Sequence, residues 1–309
     1  MHPKYLRVLT LADILEGHYD GVLTTNKAIA RCAQTMVEAY ELKMVVPDFG
    51  TRLWHELIPL DVLEHKLRTP NPFTVQIRAR IEQFIDEVRP HVIHIPVEGP
   101  IGQHAMHVAR ARGIPVTTAW HTHWPRYLPP RLFHLVRPSW IWYALRRFHI
   151  QAARVFATNE TIAAELGEHG FRNVIAIGRG VDTEIFNPNA ASTKPLRYNP
   201  SEYQKPFYVN VSRLNVEKNL PAFYESGLLP TLVQIGDGNM RRAYQRRYPE
   251  VLFLGEMDQQ DIAAHLTTMD VFCFSSLTET FGLVMPEANA CGLPVATLAD
   301  TDPAGYIQN

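Results

Sequence analysis

Short apolar runs rich in β-branched and aromatic residues alternate with longer amphipathic stretches along the first half of the chain. The strand-like runs are "YLRVLTLA", "KMVVP", "HVIHIPV", "IPVTTAW", "ARVFATN" and "NVIAIG". Helical patterns lie between them at residues 24–40, 74–88, 102–113 and 159–169, the last ended by Gly170. This alternation predicts right-handed βαβ units on a parallel sheet.

Residues 187–206, "NPNAASTKPLRYNPSEYQKP", interrupt the pattern and predict a linker, because they contain four prolines and three asparagines. A second alternation follows, with strands at "FYVNVSR", "TLVQIGDG", "VLFLG", "VFCFSS" and "PVATLA" and helices near 218–226, 239–247, 258–267 and 283–291. The prediction is an α/β protein with two Rossmann-like domains, residues 1–186 and 207–309, that face each other across a ligand-binding cleft. The second domain is expected to be incomplete, because only "DTDPAGYIQN" follows its last strand.

Composition narrows the possible functions. Charged residues make up 20% and hydrophobic residues 46% of the 309 positions, which is typical of a globular protein. A formal net charge of −1 argues against a general nucleic-acid binder. The three cysteines are scattered in apolar runs, which indicates reduced thiols rather than a disulfide framework. With no secretory signal and no apolar stretch long enough to cross a bilayer, the expectation is a cytoplasmic protein, attached at most to the inner membrane surface.

Two carboxylates lie in the segment "SSLTETFGLVMPEANACGLPV", residues 275–295. Glu279 is predicted in the loop after a strand and Glu287 in the first part of the following helix, with Pro286 suited to its first turn. One interpretation is that both acids only stabilise the helix N-terminus or face solvent. The other is that backbone amides at residues 280–283 bind an anion while the acids bind hydroxyl groups. A nucleotide sugar offers both chemistries.

A pair of cations follows the first strand of the second domain, in "NVSRLNVEKNL". Arg213 and Lys218 lie five positions apart around a turn, where a guanidinium and an ammonium can both reach a diphosphate. The alternative is two solvated surface cations. The anion-ready segment in the same predicted sheet favours a diphosphate site.

The ordered set of motifs resembles the retaining family 4 glycosyltransferases of the GT-B fold. In the second half the resemblance is carried by "SRLNVEKNL", "QIGDGNMRRAY", "VLFLGEMDQQDIAAHLTTMDVFCFSS" and "TETFGLVMPEANACGLPV". In the first half "DGVLTTNKAIA", "RPHVIHIPVEGPIG", "WHTHWPRYLP" and "GRGVDTEIFNP" resemble members that glycosylate lipids, such as mannosyl- and sulfoquinovosyltransferases. That family ends with a helix that crosses back to the first domain, and this sequence is expected to lack it.

The resemblance implies a role for individual residues. Arg213 and Lys218 would bind the donor diphosphate, Glu287 the ribose and Glu279 the transferred sugar. Further donor contacts would come from Gly21, His121, Gly236, Asp237, Gly238, Thr280, Phe281, Gly282 and Leu283. The resemblance implies a metal-independent transfer of a hexose with retention, from a UDP- or GDP-linked sugar to a lipid or glycan, with no further cofactor.

Other interpretations stay open at this point. A non-catalytic nucleotide-sugar binder and a sugar-nucleotide epimerase of similar architecture are the alternatives. Asp300 and Asp302 mimic a metal-binding Asp-x-Asp, but a turn before Pro303 is the preferred interpretation. Residues 126–154 contain six arginines, no acid and many aromatics. They predict either a buried helix with solvated arginines or a patch that contacts anionic lipid.

Overall fold

A computed structural model describes residues 7–11, 25, 43–45, 72–126, 137–190, 195–277, 279 and 281–298. The chain divides into two compact units, Met1–Gly178 and Arg179–Asn309. In the described residues each unit contains its own parallel sheet, which confirms the predicted pair of α/β domains. Apart from residue 25, which is helical, the predicted helix at 24–40 falls outside the described residues, as does the predicted incompleteness after the last strand.

The first unit has its described strands in the order β2-β1-β3-β4-β5-β6, and all neighbouring pairs are parallel. Their bounds are β1 Arg7–Thr10, β2 Lys43–Val45, β3 Val92–Ile95, β4 Val116–Trp120, β5 Arg154–Ala157 and β6 Val174–Ala176. The helices of this unit with both ends described are α1 Pro72–Val88, α2 Pro100–Ala111, α3 Pro138–His149 and α4 Glu160–Glu168. Residues 25 and 124–126 are also helical.

Local sequence explains where these helices begin. Proline occupies the first turn of α2 and α3, where its missing N–H costs nothing. Asn159 caps α4, because its side chain accepts a hydrogen bond of 2.8 Å from the backbone N–H of Ile162. Along β3 the side chains alternate between half-buried and buried positions, and the inward Ile93 and Ile95 are fully buried. Each such buried side chain contributes about 1.5–3 kcal/mol of hydrophobic free energy.

The second unit has a sheet in the order β11-β10-β7-β8-β9, again parallel. Its strands are β7 Phe207–Val211, β8 Thr231–Ile235, β9 Leu252–Gly255, β10 Val271–Phe274 and β11 Val295–Thr297. The described helices are α5 Leu220–Tyr224, α6 Arg241–Arg247, α7 Gln259–Leu266 and α8 Val284–Ala290, and a 3₁₀ turn covers Val216–Lys218.

The segment that precedes β7 packs on the second unit. Phe186 and Tyr198 are 1% and 8% exposed and belong to the same hydrophobic core as Phe207. The backbone N–H of Arg197 donates to His265 Nε2 at 3.1 Å, and its guanidinium donates to the carbonyl of Leu254 at 3.1 Å. The division between the units at Gly178 therefore lies before the predicted linker rather than within it.

Candidate functional site

The predicted donor residues of the second unit gather at the carboxyl edge of its sheet. From β7 the chain crosses to β8 on one side, whereas β10 returns to the other side of β7. Such a reversal of direction creates the position where open α/β sheets bind ligands. The loop with Arg213 and Lys218 leaves β7, and the loop with Glu279 leaves β10, so both flank this switch point.

Buried polar side chains tie the two strands together at this edge. Asn210 Nδ2 donates to the carbonyl of Cys273 at 2.7 Å, and Ser212 Oγ donates to Asn210 Oδ1 at 2.7 Å. Ser275 Oγ donates to the carbonyl of Lys218 at 2.9 Å. Sequence reasoning missed these residues, although a polar residue inside an otherwise apolar strand is a signal for such a bond. The bond from Ser275 holds the 3₁₀ turn that contains Lys218 next to the end of β10.

Lys218 and Glu279 form an ion pair between the ammonium nitrogen and Oε1. The two side chains are only 16% and 27% exposed. Ser276 Oγ donates a further hydrogen bond of 3.3 Å to the same carboxylate oxygen. An ammonium has three N–H donors, so Lys218 keeps donors for a ligand while it holds Glu279 in place.

The charges around Glu279 keep it ionised. Burial by itself raises the pKa of this carboxyl, but the charge and hydrogen bond of Lys218 outweigh that effect. The hydrogen bond from Ser276 and the charge of Arg213 act in the same direction, so the pKa lies below its ordinary value. Arg213 itself is exposed. The site therefore offers a fixed carboxylate for hydroxyl groups beside two cations for phosphate oxygens.

A glycine loop at residues 236–238, which the resemblance implies would contact the donor, follows β8 and lies against the chain after β7. Gly236 has φ +125°, and a Cβ there would lie 2.0 Å from the carbonyl oxygen of Ser212. A Cβ on Gly238 would lie 2.6 Å from the carbonyl oxygen of Leu214. Only glycine fits at either position without moving backbone, which explains the spacing "GDG".

Asp237 holds this glycine loop in shape. Its Oδ1 accepts from the backbone N–H of Gly238 at 2.7 Å and its Oδ2 from Arg241 at 2.5 Å. Burial raises the pKa of Asp237, but these two bonds and the charge of Arg241 bring it below its ordinary value. Because both oxygens are engaged inside the protein, this carboxylate orders the loop.

Glu287 lies in the first turn of α8 and differs from Glu279 in its surroundings. It is half-buried, and within the described part of the chain its carboxylate makes no hydrogen bond or ion pair. Burial raises its pKa to about 8. At neutral pH it is therefore mostly protonated and available to a ligand.

The residues before α8 combine close packing with a cation that the sequence reasoning missed. Phe281 is buried, and the guanidinium of Arg179 lies over its ring, 5.8 Å from the centroid. Gly282 has φ +71°, and a Cβ there would lie 2.8 Å from the terminal methyl of Met285. Leu283 is half-buried, and Thr280 falls outside the described residues.

The first unit contributes one described candidate. His121 directly follows β4 at the carboxyl edge of the first sheet and is half-buried. Gly21, Asp300 and Asp302 fall outside the described residues. Among the residues that are described, no three His, Cys, Asp or Glu side chains converge as a metal site, and no helix is long and apolar enough to cross a membrane.

The arginine-rich stretch contains helix α3. Its inner side buries Ile141, Phe148 and His149. Its outer side exposes Trp140, Tyr143 and, just past its end, Ile150, by 63%, 59% and 46%. The buried side fits the prediction of a core helix with solvated arginines. The exposed side, with its apolar and basic residues, fits the prediction of a patch that contacts anionic lipid.

Comparison with known proteins shows the family. Residues 25–185 match the family described as Glycosyltransferase Family 4, and residues 212–308 match Glycosyl transferases group 1. The chain is 30% identical over 234 residues to the sulfoquinovosyl transferase of Arabidopsis thaliana, covering 72% of this chain and 46% of that protein. It is 33% identical over 210 residues to a GDP-mannose-dependent alpha-mannosyltransferase of Mycobacterium tuberculosis, covering 67% and 54%. These matches span about half the length of either relative.

A solved structure supports the fold. The sucrose-phosphate synthase of Thermosynechococcus elongatus superposes with a TM-score of 0.69 at 16% identity. The superposition covers 95% of this chain and 81% of that protein. At this identity the likeness shows the architecture alone.

Proposed function

Because the chain belongs to glycosyltransferase family 4, with the GT-B fold, we propose that it transfers a hexose from a nucleotide-diphosphate sugar to an acceptor with retention of configuration. The acceptor in this proposal is a lipid or a glycan, and no metal takes part. The observation that carries it is the Lys218–Glu279 ion pair at the switch point of the second sheet.

In this proposal each charged group has a separate task. Lys218 and Arg213 bind the donor diphosphate and stabilise the charge that develops as it departs. Glu279, already ionised, accepts hydrogen bonds from the hydroxyls of the transferred hexose. Glu287 binds the ribose hydroxyls, and His121 contacts the donor sugar. Neither carboxylate has to act as a nucleophile, since the acceptor attacks from the face that the diphosphate leaves.

The test begins with binding of GDP, UDP, GDP-mannose and UDP-glucose by thermal shift and calorimetry, in EDTA and in Mg²⁺. We expect one base to stabilise the protein equally in both. Release of nucleoside diphosphate should then require an acceptor, and NMR of the product should show the donor's anomeric configuration. Release without acceptor would favour an epimerase, binding without release would favour a binding module, and inversion would contradict the retaining mechanism.

Glu287→Gln is expected to remove a pH dependence of nucleotide binding. Burial raises the wild-type pKa to about 8, so the carboxylate forms as the pH rises through that value. An ionised acceptor binds ribose hydroxyls more strongly, so wild-type affinity should rise several-fold between pH 7 and pH 9. Calorimetric titration at each pH is the measurement, with the exposed Glu250→Gln as control.

The same substitution should also remove a pH dependence of stability. In the wild type this dependence runs opposite to that of affinity: stability falls as pH rises. Between the ordinary pKa of glutamate and about 8, native Glu287 keeps a proton that the unfolded chain has lost. Wild-type stability must therefore fall as pH rises across that window. Above pH 8 we expect Glu287→Gln to be more stable by about 1–3 kcal/mol in urea unfolding. Parallel pH profiles of wild type and variant would contradict the assigned burial.

The acceptor side of the proposal includes contact with an anionic membrane through residues 126–154, of which 126 and 137–154 are described. Trp140 and Tyr143 lie on one exposed side of α3, and Arg137, Arg146 and Arg147 are exposed beside them. An apolar side bordered by cations, with no acid in the stretch, suits the surface of anionic lipid.

Trp140→Ser combined with Tyr143→Ser is expected to lower binding to phosphatidylglycerol vesicles about tenfold in a sedimentation assay. Wild-type binding should weaken as salt rises, because the arginines contribute through charge. The matched control is Ile175→Ser with Ile177→Ser, two positions that are each 41% exposed in the same unit. Equal loss in both pairs would contradict a specific surface on α3.

A further inference from the structure

The loop that carries His121 also contains a buried histidine, His123, which anchors the loop to Glu165 of α4. His123 is 2% exposed, and its Nε2 lies 3.0 and 3.1 Å from the two carboxylate oxygens of Glu165. Its Nδ1 accepts from the backbone N–H of Arg126 at 3.3 Å. A backbone N–H can only donate, so the neutral ring carries its proton on Nε2 and donates it to Glu165.

A second anchor joins this loop to the loop after β3. Trp124 Nε1 donates to Glu98 Oε2 at 3.1 Å. Glu98 Oε1 lies 3.0 Å from His149 Nε2. The other ring nitrogen of His149, Nδ1, lies 2.8 Å from Thr118 Oγ1. Glu98 is 11% exposed, whereas the ring of His149 is fully buried.

This chain of polar groups links three parts of one sheet edge. Thr118 belongs to β4, Glu98 to the loop after β3, and Trp124 to the helical residues 124–126, which are separated from β4 by three residues. Adjacent loops at the carboxyl edge of a parallel sheet are where such folds bind ligands. A buried polar group is tolerated only when it is hydrogen-bonded. This hydrogen-bonded network is therefore rigid when each of its side chains has its partner.

The loop that carries Glu98 is itself fixed by close packing. A Cβ on Gly102, in the first turn of α2, would lie 2.5 Å from the carbonyl oxygen of Val97. Gln103 donates to the carbonyl of Glu98 at 3.2 Å. The carboxylate therefore has a defined position from which it can hold Trp124.

We propose that Glu98 is a positioning residue: its carboxylate, braced by His149, holds the indole of Trp124 and thereby sets the orientation of His121. This inference rests on the proposed function, in which His121 contacts the donor sugar. Small displacements of a positioned group can cost large factors in rate, so loss of this anchor should lower kcat more than it raises KM.

Trp124→Phe tests the anchor with little disturbance, because it removes the N–H donor and keeps a large ring. We expect kcat to fall about tenfold with KM within about twofold. In the double variant with His121→Ala, kcat should fall no further than in His121→Ala alone, because Trp124 acts through His121. Losses that multiply, or an unchanged kcat in Trp124→Phe, would overturn the proposal.

Glu98 itself is tested by a pair of substitutions. Glu98→Ala removes both acceptors and should lose at least as much kcat as Trp124→Phe. Glu98→Gln keeps an acceptor for Trp124, and His149 can exchange its proton between nitrogens because the Thr118 hydroxyl either donates or accepts. It should therefore recover most of the activity. Failure of the glutamine variant at unchanged melting temperature would count against positioning through the indole.

A measurement without turnover separates this inference from the proposed function. In protein labelled with ¹³C at histidine Cε1, the His121 signal is identified by its absence in His121→Ala. Trp124→Phe and Glu98→Ala should shift that signal, and the control Glu225→Gln, which removes a carboxylate with two donors in the other unit, should not. An unmoved signal overturns the positioning role even in an active enzyme. A moved signal in a chain without transferase activity refutes only the proposed function.

Discussion

Replacing Lys218 with alanine is expected to lower kcat/KM for donor by about 100- to 1,000-fold, or about 2.7–4 kcal/mol of transition-state stabilisation. Two losses combine in this variant. The departing diphosphate loses its ammonium, and the half-buried Glu279 loses the cation that chiefly holds its pKa below the ordinary value. The measurement is steady-state release of nucleoside diphosphate, with calorimetric binding of the nucleotide alongside it.

The chain offers a matched control at the other end of the same two strands. Lys205 pairs with Asp270 at 3.0 Å, and these residues precede β7 and β10 as Lys218 and Glu279 follow them. Lys205→Ala removes an exposed ion pair, which contributes about 0–1 kcal/mol, and should leave turnover unchanged. A Lys218→Ala variant as active as Lys205→Ala would refute the site assignment.

Glu279→Ala is expected to lower kcat about 100-fold while the affinity for nucleoside diphosphate changes less than about threefold. In the proposed function the carboxylate binds hydroxyls of the transferred sugar, so its hydrogen bonds should matter for the transition state rather than for binding the nucleotide. Glu279→Gln keeps hydrogen bonding without the charge and should lie between alanine and wild type. The measurements are kcat by product analysis and the dissociation constant by calorimetry.

The pH behaviour of the Lys218–Glu279 pair provides an independent check. Because the pKa of Glu279 is lowered, its stabilising contribution is complete above the ordinary glutamate range and is lost as pH falls below it. Glu279 should therefore stay ionised at mildly acidic pH, and the ratio of wild-type kcat to Glu279→Ala kcat should not fall there. Asp270→Asn is the control. A Glu279→Ala defect in nucleotide affinity rather than in kcat would mean that Glu279 acts by positioning Lys218 for the diphosphate, not by binding the transferred sugar.

The fold and the family could be predicted from sequence because their signals are local. Runs such as "FYVNV" and "TLVQI" become β7 and β8 as predicted, and the order of motifs is enough to identify the family. The resemblance singles out Gly236 and Gly238 as donor contacts, but only the structure shows that a Cβ at either position would collide with backbone. The assigned roles of these residues stay predictions.

Features that depend on long-range contact could not be predicted. Arg213 and Lys218 were both expected to face a diphosphate, but nothing in the sequence indicates that Lys218 pairs with Glu279, 61 positions away. Asn210 lies inside the apolar strand β7 and Ser275 directly after β10, and their partners are close only once β7 and β10 are neighbours. The different states of Glu279 and Glu287 also arise from tertiary contacts. Burial raises the pKa of both carboxyls, but only Glu279 has Lys218 beside it to outweigh that effect.

The packing of Phe186 and Tyr198 has a practical consequence for dissection of the molecule. A fragment expressed from residue 207, where the second strand pattern starts, would lose these two aromatic side chains from its core and expose the apolar surface beneath them. A fragment that begins at residue 179 would retain Phe186 and Tyr198 and keep that surface buried. For recombinant production of the second unit alone, the useful cut therefore lies ahead of the proline-rich segment.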